Sequence, residues 1–222
     1  MNPKSEKIKY PSPLVIEMIR YTGLLSSKIL WRMEHHGTEN IPQNSARGLL
    51  LVSNHQTYFD PFWLCLPIRR KFRFMAWDEA FNWFAVGRCI RYLGAFPVSL
   101  AKRGVKKAMI EALRSLRDGA MLIIFPEGSR GFADGRLLPF KSGAVRIAME
   151  AKVPILPVTI RGGNKVWAQD LKFPHLHKVE IFYHPIFEIP ELPADQDEQQ
   201  FAAAITERLK TIIESKLLID EQ

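Results

Sequence analysis

A histidine and an aspartate, His55 and Asp60, directly follow an apolar run over Gly48–Ser53 that is typical of a buried strand. Sites in α/β sheets form outside the carboxyl ends of strands, so a histidine at this place is well positioned for chemistry. On a regular helix the two side chains would lie on different faces, so they can meet only across a turn. Asp followed by Pro61 is typical of an N-cap and first helical residue, which predicts a helix that starts at Pro61.

The chemistry that this pair suggests is proton transfer. A carboxylate of Asp60 that reaches back to the ring of His55 would fix its tautomer and stabilise the imidazolium, which makes the histidine a general base. The alternative is structural: Asp60 caps a helix and His55 packs. The sequence contains no G-x-S-x-G elbow, and Ser53 and Ser99 lack that context. A base without a nucleophile of its own indicates that a substrate hydroxyl is deprotonated, as in a transferase with a ternary complex.

A second segment, Phe125–Gly131 with the sequence FPEGSRG, also follows a predicted strand and has the residue types of an anion site. Gly128 permits a tight backbone turn, and the planar guanidinium of Arg130 matches the oxygens of a phosphate. Lys141 adds a cation just before Ser142, which is placed to cap a helix whose N-terminus would favour an anion. The alternative is a plain strand-to-helix turn with a solvated arginine. No Walker loop, G-x-x-x-x-G-K-[ST], occurs.

Several further features carry weaker signals. Gly94–Val98 and Val153–Val158 are apolar segments with prolines, which are more typical of structure than of function. The remaining histidines have no carboxylate or cysteine partner at metal-ligand spacing, so no metal is predicted. Cys65 and Cys89 are too few for a disulfide framework and are expected to be buried, reduced thiols.

Charge and composition limit the class of partner. The 222 residues include 31 Lys and Arg against 23 Asp and Glu, a formal net charge of +8. This excess favours an anionic partner: nucleic acid, an anionic bilayer surface or a phosphorylated small molecule. Nucleic-acid binding requires aromatic side chains interleaved with cations on a fitting fold, and Arg69–Phe74 is the single such patch, so nucleic acid is not expected. The 47% hydrophobic content indicates an ordered globular protein.

Apolar runs typical of strands alternate along the chain with helical patterns. The predicted strands are Gly48–Ser53, Phe72–Trp77, Ala95–Ser99, Ala120–Phe125, Ile155–Ile160 and Val179–Tyr183. The predicted helices are Leu14–Met33, Glu79–Tyr92, Val105–Leu116, Ser142–Ala151 and Phe201–Leu218. The alternation predicts an α/β fold: a single layered domain with a largely parallel central sheet flanked by helices, plus an N-terminal amphipathic helix.

The chain is expected to have three parts. Residues 1–46 would be an amphipathic, membrane-associating segment, residues 47–190 the α/β domain, and residues 191–222 a connector and a helix that packs on the same domain. Apolar side chains over Leu14–Met33 are accompanied by Arg20, Lys28 and Arg32, which are placed to meet lipid headgroups. The polar N-terminus is unlike a signal peptide, and no run of 18 or more apolar residues occurs. These features predict a peripheral protein on the cytoplasmic face of a membrane; the alternative is a helix that covers the domain's own core.

Three of these segments, in this order, resemble the blocks of the glycerolipid acyltransferase family typified by 1-acylglycerol-3-phosphate acyltransferase. The blocks are N-H-x-x-x-x-D over 54–60, F-P-E-G-[ST]-R over 125–130 and V-P-[IV]-x-P-V over 153–158. The resemblance runs from about Gly48 to Ile160 and makes residues 47–190 an acyltransferase domain. It implies that a fatty acyl group passes from acyl-CoA or acyl carrier protein to the hydroxyl of a lysophospholipid, with no cofactor.

The resemblance also implies roles for individual residues. His55 would be the general base and Asp60 its orienter, and Arg130 would bind the phosphate of the acceptor. Pro154 and Pro157 would belong to the donor side or to the structure. The residues assigned to the acceptor and its phosphate are Glu127, Gly128, Ser129, Arg130, Lys141 and Arg103.

One block departs from the family pattern. The pattern G-x-x-[FP]-[IV]-x-R places an arginine six residues after the glycine, but Leu100 stands there after Gly94, and the nearest cations are Lys102 and Arg103. Either the loop delivers Arg103 or the acceptor is held differently, so other lyso-lipid and aminoacyl-lipid acceptors stay open. Two further functions stay open as well: an acyl thioesterase, in which water replaces the acceptor hydroxyl, and a non-catalytic lipid-binding module.

Overall fold

Seven strands of the described chain form one sheet at the centre of the fold. The structure, a computed structural model, describes residues 8, 10–43, 45–99 and 102–217, without the side chains of residues 102 and 103. The strands are β1 (Glu34–His36), β2 (Leu49–Ser53), β3 (Phe72–Trp77), β4 (Ala95–Val98), β5 (Met121–Ile124), β6 (Ile155–Arg161) and β7 (Glu180–Tyr183). Their spatial order is β1-β7-β6-β2-β5-β3-β4, and every pairing is parallel except that between β6 and β7.

Helices connect most of the strands. They are α1 (Pro13–Trp31), α2 (Asp60–Cys65), α3 (Val86–Tyr92), α4 (Lys102–Arg117), α5 (Gly143–Ala151), α6 (Asn164–Trp167) and α7 (Glu198–Glu214), with short 3₁₀ helices at Thr38–Asn40 and Asp78–Asn82. Gly119, two residues after the end of α4, has a φ of 77°. Glycine adopts this left-handed conformation without steric cost, so the chain can turn there into β5.

The helices cover both faces of the sheet because successive strand side chains point to opposite faces. In β2, Leu49 and Leu51 belong to the apolar cluster under α1, α2 and α3, whereas Leu50 and Val52 belong to the cluster under α4, α5 and α7. The whole of β2 is buried, as expected for a central strand that is covered on both sides. The predicted α/β fold with a mostly parallel sheet between helices is therefore confirmed.

The predicted strands are all present, and each end lies within one residue of its prediction. The sequence analysis missed β1, which forms the sheet edge by parallel pairing with β7. Its three residues, Glu34–His36, have no apolar side chain, so hydrophobic patterning gave no signal. The sheet thus extends into residues that were assigned to the N-terminal segment.

The single helix predicted over Glu79–Tyr92 is wrong. The structure has a 3₁₀ helix at Asp78–Asn82 and α3 at Val86–Tyr92, and between them Ala85 has a φ of 62°. The apolar side chains at this break point outward, and Phe84 is 95% exposed. A continuous helix would gain no packing from such side chains, which explains the interruption.

The N-terminal helix α1 has a buried face and an exposed face. Arg20 is only 7% exposed and donates to Glu17 and to the backbone carbonyl of Ile68. The expectation that Arg20 meets lipid headgroups is therefore wrong, whereas Lys28 and Arg32 are exposed. Within the described residues, no helix has the length and apolar character needed to cross a bilayer.

Candidate active site

Asp60 anchors the turn that follows β2. Its Oδ2 lies 2.7 Å from Nδ1 of His55 and accepts the backbone N–H groups of Gln56 and Thr57, at 2.6 and 2.9 Å. Its Oδ1 accepts the hydroxyl of Thr57 at 2.7 Å. The fully buried carboxylate thus fixes both the backbone of the turn and the ring of the histidine.

The expectation that Asp60 caps a helix starting at Pro61 is wrong. The helix α2 begins at Asp60 itself, its N-cap residue is Phe59, and no side chain caps it. The carboxylate is turned back into the preceding turn, where four donors occupy it. The carboxylate thus bonds to the turn instead of capping α2.

Neighbouring residues hold both the ring and the backbone of His55. Its ring stacks on Phe125, with centroids 4.1 Å apart and planes 17° apart. Its backbone N–H donates to Glu127 at 2.7 Å, and its carbonyl accepts from the N–H of Gly131 at 2.7 Å. No hydrogen bond among the described residues uses Nε2. With Nδ1 donating to Asp60, Nε2 has a lone pair that can accept a proton, and the side chain is 19% exposed.

Glu127 is hydrogen-bonded to the backbone of His55. It is 5% exposed; Oε1 accepts the N–H of His55, and Oε2 accepts the N–H of Leu138 at 2.8 Å. Desolvation by burial raises the pKa of Glu127 to about 7, although the two backbone hydrogen bonds act to lower it. Both carboxylate oxygens accept backbone N–H groups. Glu127 therefore joins the turn that contains His55 to the loop that contains Leu138.

Arg130 lies against an aromatic side chain. Its Cζ is 3.7 Å from the ring centroid of Tyr58. Its Nη1 donates to the carbonyls of Trp167 and Ala168, at 3.1 and 3.4 Å, where α6 ends. The sequence analysis did not identify Tyr58 and Trp167. Tyr58 is close to His55 in sequence, but Arg130, which it contacts, is far from it in sequence.

The other predicted acceptor residues lie in the same loop. Gly128 has a φ of 75°, and a Cβ at this position would lie 2.8 Å from Nζ of Lys141. The absence of a side chain therefore lets Lys141 approach the loop. Ser129 and Lys141 are exposed, and Ser142 is the N-cap residue of α5 without a side-chain capping bond.

The remaining predicted residues are separate from this cluster or outside the described part. Pro154 accepts the N–H of Leu50 at 3.0 Å, and Pro157 is paired with Val52 inside the sheet. Both prolines are buried. The side chain of Arg103 is outside the described residues, so its contribution to the acceptor site stays a prediction.

Two amide side chains that the sequence analysis did not single out hold the turn to β6 and α6. Asn54 makes two hydrogen bonds of 2.8 Å with the backbone of Ile160, and Gln56 accepts the N–H of Asn164 at 3.1 Å. The signal available in the sequence was their position on either side of the candidate base, His55. They fix the turn against the neighbouring strand and helix.

Among the described residues, one group has the side chains of a metal site. Glu34, His36 and Glu180 come together on β1 and β7. Lys178 Nζ is 3.1 Å from Glu34, and Arg161 is 2.6 Å from Glu180. These cations already neutralise the carboxylates, so the group is better described as a surface ion-pair network.

Comparisons with known proteins give a family for the chain. The family model described as Acyltransferase matches residues 32–161. The chain is 36% identical over 141 residues to 1-acyl-sn-glycerol-3-phosphate acyltransferase of Streptococcus pneumoniae, covering 60% of this chain and 50% of that protein. It is 32% identical over 140 residues to the chloroplastic 1-acyl-sn-glycerol-3-phosphate acyltransferase BAT2 of Brassica napus, covering 61% and 39%.

A solved structure extends the similarity to the fold. The crystal structure of the 1-acyl-sn-glycerophosphate (LPA) acyltransferase PlsC from Thermotoga maritima is similar with a TM-score of 0.71 and 27% identity, over 89% of this chain and 79% of that one. By contrast, the chain spans about two fifths to one half of the length of the two relatives above. Since the family model covers more than half of the 222 residues, the chain belongs to the acyltransferase family.

Proposed function

We propose that the chain is an O-acyltransferase that moves a fatty acyl group from acyl-CoA or acyl carrier protein to the hydroxyl of 1-acylglycerol-3-phosphate, giving phosphatidate for phospholipid biosynthesis. The observation that carries the proposal is the 2.7 Å contact between His55 Nδ1 and Asp60 Oδ2, in a turn against the Arg130 loop. The names of the relatives from Streptococcus pneumoniae and Brassica napus support the choice of acceptor.

The mechanism uses the free nitrogen of His55. Nε2 takes the proton of the acceptor hydroxyl while its oxygen attacks the thioester carbonyl, and Asp60 stabilises the imidazolium. As the C–O ester bond forms and the C–S bond breaks, the same proton passes to the sulfur, which leaves as the free thiol. The described hydrogen bonds place no serine or cysteine side chain against the ring, which favours direct transfer without an acyl-enzyme.

Release of free thiol from acyl-CoA, measured with and without 1-acylglycerol-3-phosphate (lysophosphatidate), tests the proposal. An acyltransferase releases thiol in proportion to phosphatidate formed and only when the acceptor is present. Release without the acceptor would instead indicate a thioesterase, and no release with either acyl-CoA or acyl carrier protein would indicate a lipid-binding module.

Within this proposal Arg130 binds the acceptor phosphate, with Lys141 and Arg103 in support. Arg130→Ala should weaken kcat/KM for the acceptor by roughly ten- to a hundredfold, because a charge-assisted contact contributes about 1.5–3 kcal/mol. Arg130→Lys should restore only part of this, since an ammonium lacks the planar fork. Steady-state kinetics at varied lysophosphatidate measure both effects.

Arg136→Ala is a matched control, because this arginine lies in the same loop with its side chain 89% exposed. It should leave the acceptor KM unchanged. An Arg130→Ala enzyme with a normal acceptor KM would contradict the phosphate role.

We propose that Glu127 acts on His55 rather than on the acceptor, since both of its oxygens bind backbone N–H groups. The raised pKa of Glu127 should make the stability of the protein depend on pH, which can be measured. Burial raises the pKa of this carboxyl from 4.5 to about 7, so the folded chain keeps a proton that the unfolded chain loses above pH 4.5. The stability that this proton contributes is complete below that pH and is lost as pH rises through 7.

The stability advantage of the wild type over Glu127→Gln should therefore decrease between pH 5 and pH 8. Urea unfolding of both proteins at several pH values measures this difference. Because the lowered pKa values of His35 and His184 affect both proteins equally, they cancel. A difference that does not change with pH would rule out the titration of Glu127 in this range.

We further propose peripheral association with anionic lipids at the cytoplasmic face of a membrane, through residues 1–46. The acyltransferase domain would span residues 47–190, and residues 191–222 would pack on it. Exposed apolar side chains recur at three- and four-residue spacing along the outer face of α1; they are Leu14, Met18, Tyr21, Leu25 and Ile29. Such a stripe beside Lys28 and Arg32 suits an interfacial helix.

Co-sedimentation with anionic vesicles tests the membrane proposal. The double variant Leu25→Glu with Ile29→Glu should bind vesicles at least about tenfold more weakly, because two apolar side chains lose their burial in lipid. Ile110→Glu, an exposed position on α4, is the control and should bind normally. Absence of the wild type from the pellet at both low and high salt would end this proposal.

A further inference from the structure

Tyr58 lies in the same turn as His55 and Asp60, and its ring carries the guanidinium of Arg130. The Cζ atom of Arg130 is 3.7 Å from the ring centroid. At this distance the negative face of the ring attracts the cation. With Nη1 donating to the carbonyls of Trp167 and Ala168, the arginine is held between an aromatic face and two carbonyl oxygens.

The ring of Tyr58 is itself fixed by two tryptophans. Trp83 and Trp167 contact it at centroid distances of 5.8 and 5.2 Å, with interplanar angles of 77° and 75°. Edge-to-face pairs of this kind favour one ring orientation. None of the hydrogen bonds described for the chain uses the hydroxyl of Tyr58, so its contacts with the cluster are made by the ring.

The contacts leave the anion-binding edge of Arg130 available. A guanidinium has five N–H groups, and the hydrogen bonds of the described residues use Nη1 alone. Nε and Nη2 therefore remain able to bind two oxygens of one phosphate. The ring under Cζ restricts the plane of the guanidinium without occupying these donors.

We propose that Tyr58 is the positioning residue for Arg130: its ring sets the orientation of the guanidinium toward the phosphate of the acceptor. This inference rests on the proposed function, in which Arg130 binds that phosphate. Tyr58 and His55 belong to one short turn that the carboxylate of Asp60 pins. That turn therefore fixes the distance between the phosphate of the acceptor and the base that deprotonates its hydroxyl.

Substitutions at Tyr58 separate the ring from the hydroxyl. Tyr58→Leu should raise the KM for lysophosphatidate about three- to thirtyfold while the KM for acyl-CoA stays unchanged, because a cation–π contact is lost. Tyr58→Phe and Tyr58→Trp should keep the wild-type acceptor KM. Tyr92→Leu, at a similarly exposed tyrosine on α3, is the control and should have no effect on the acceptor KM.

A fluorinated series keeps the test valid even if Tyr58→Leu unfolds. Phenylalanine, monofluorophenylalanine and trifluorophenylalanine at this position have nearly the same shape, but each fluorine weakens the negative face of the ring. The acceptor KM should rise stepwise along the series, an effect that a purely structural role would not produce. A constant KM, or a Tyr58→Phe enzyme as impaired as Tyr58→Leu, would overturn the proposal.

The two proposals fail in different ways. Tyr58→Leu combined with Arg130→Ala should be no worse than Arg130→Ala alone, because the ring acts through the arginine. If Arg130→Ala raised the acceptor KM and the fluorinated series were flat, only the role of Tyr58 would be refuted. If Arg130→Ala had no effect, the phosphate site of the proposed function would be refuted as well.

Discussion

Replacement of His55 by alanine is expected to lower kcat for acyl transfer by about 10²–10⁴-fold, the usual contribution of a positioned general base. An alcohol is a poor nucleophile at neutral pH, so its proton has to leave as the thioester is attacked. The substrates should still bind with normal affinity, because the backbone of His55, not its ring, connects the two loops of the site. Single-turnover kinetics and separate binding measurements for donor and acceptor resolve the two quantities.

His175→Ala is the matched control, since this exposed histidine lies in the loop after α6. Its activity should equal that of the wild type. Added imidazole should recover part of the activity of His55→Ala by supplying a diffusible base. A fully active His55→Ala enzyme would end the mechanism proposed for this site.

Substitution of Asp60 by asparagine should be nearly as damaging, with kcat lower by about 10²–10⁴-fold because the ring loses its tautomer and its charge partner. The structure adds a second effect. The NH₂ group of an amide would face donors that Oδ1 and Oδ2 now accept, including the backbone N–H groups of Gln56 and Thr57. Leaving one of them unsatisfied costs about 1–3 kcal/mol, so the free energy of unfolding should fall as well.

Activity and urea unfolding, measured on the same Asp60→Asn protein, separate the two effects. Asp170→Asn is the control, because Asp170 is exposed and accepts a single backbone N–H, that of Ala133. The double variant of His55→Ala with Asp60→Asn should be little slower than His55→Ala, since both residues act in one proton transfer. Normal kcat with reduced stability in Asp60→Asn would restrict Asp60 to a structural role.

The fold was largely predictable because its central strands, such as β2 and β5, are mostly apolar. Burial on both faces requires such runs, and hydrophobic patterning detects them directly. The two errors in the fold, the missed β1 and the single helix over Glu79–Tyr92, arose where hydrophobic patterning does not reflect burial. The edge strand Glu34–His36 is polar and pairs with β7, and the apolar residues around Phe84 are exposed.

The candidate site was predictable to the extent that it is local. The spacing of His55 and Asp60 indicated a turn, and the structure contains this turn. The same spacing also suggested that Asp60 caps a helix, which it does not. Both interpretations place a carboxylate beside the start of a helix. The contact of Arg130 with Tyr58 and the bond from His55 to Glu127 join residues from separate loops. Such contacts depend on the order of strands in the sheet, which composition and periodicity do not determine.

The pairing of β1 with β7 has a consequence for the timing of folding. The segment that joins α1 to the sheet is synthesised near the beginning of the described chain, whereas its only strand partner within the described residues is synthesised near the end. At about 5–20 residues per second, the ribosome takes on the order of ten seconds to cover the interval. During that time α1 has left the exit tunnel while β7, the strand partner of β1, does not yet exist. If α1 binds lipid as proposed, its apolar outer face can reach the bilayer before the sheet is complete. The rest of the domain would then finish folding while already attached to the membrane.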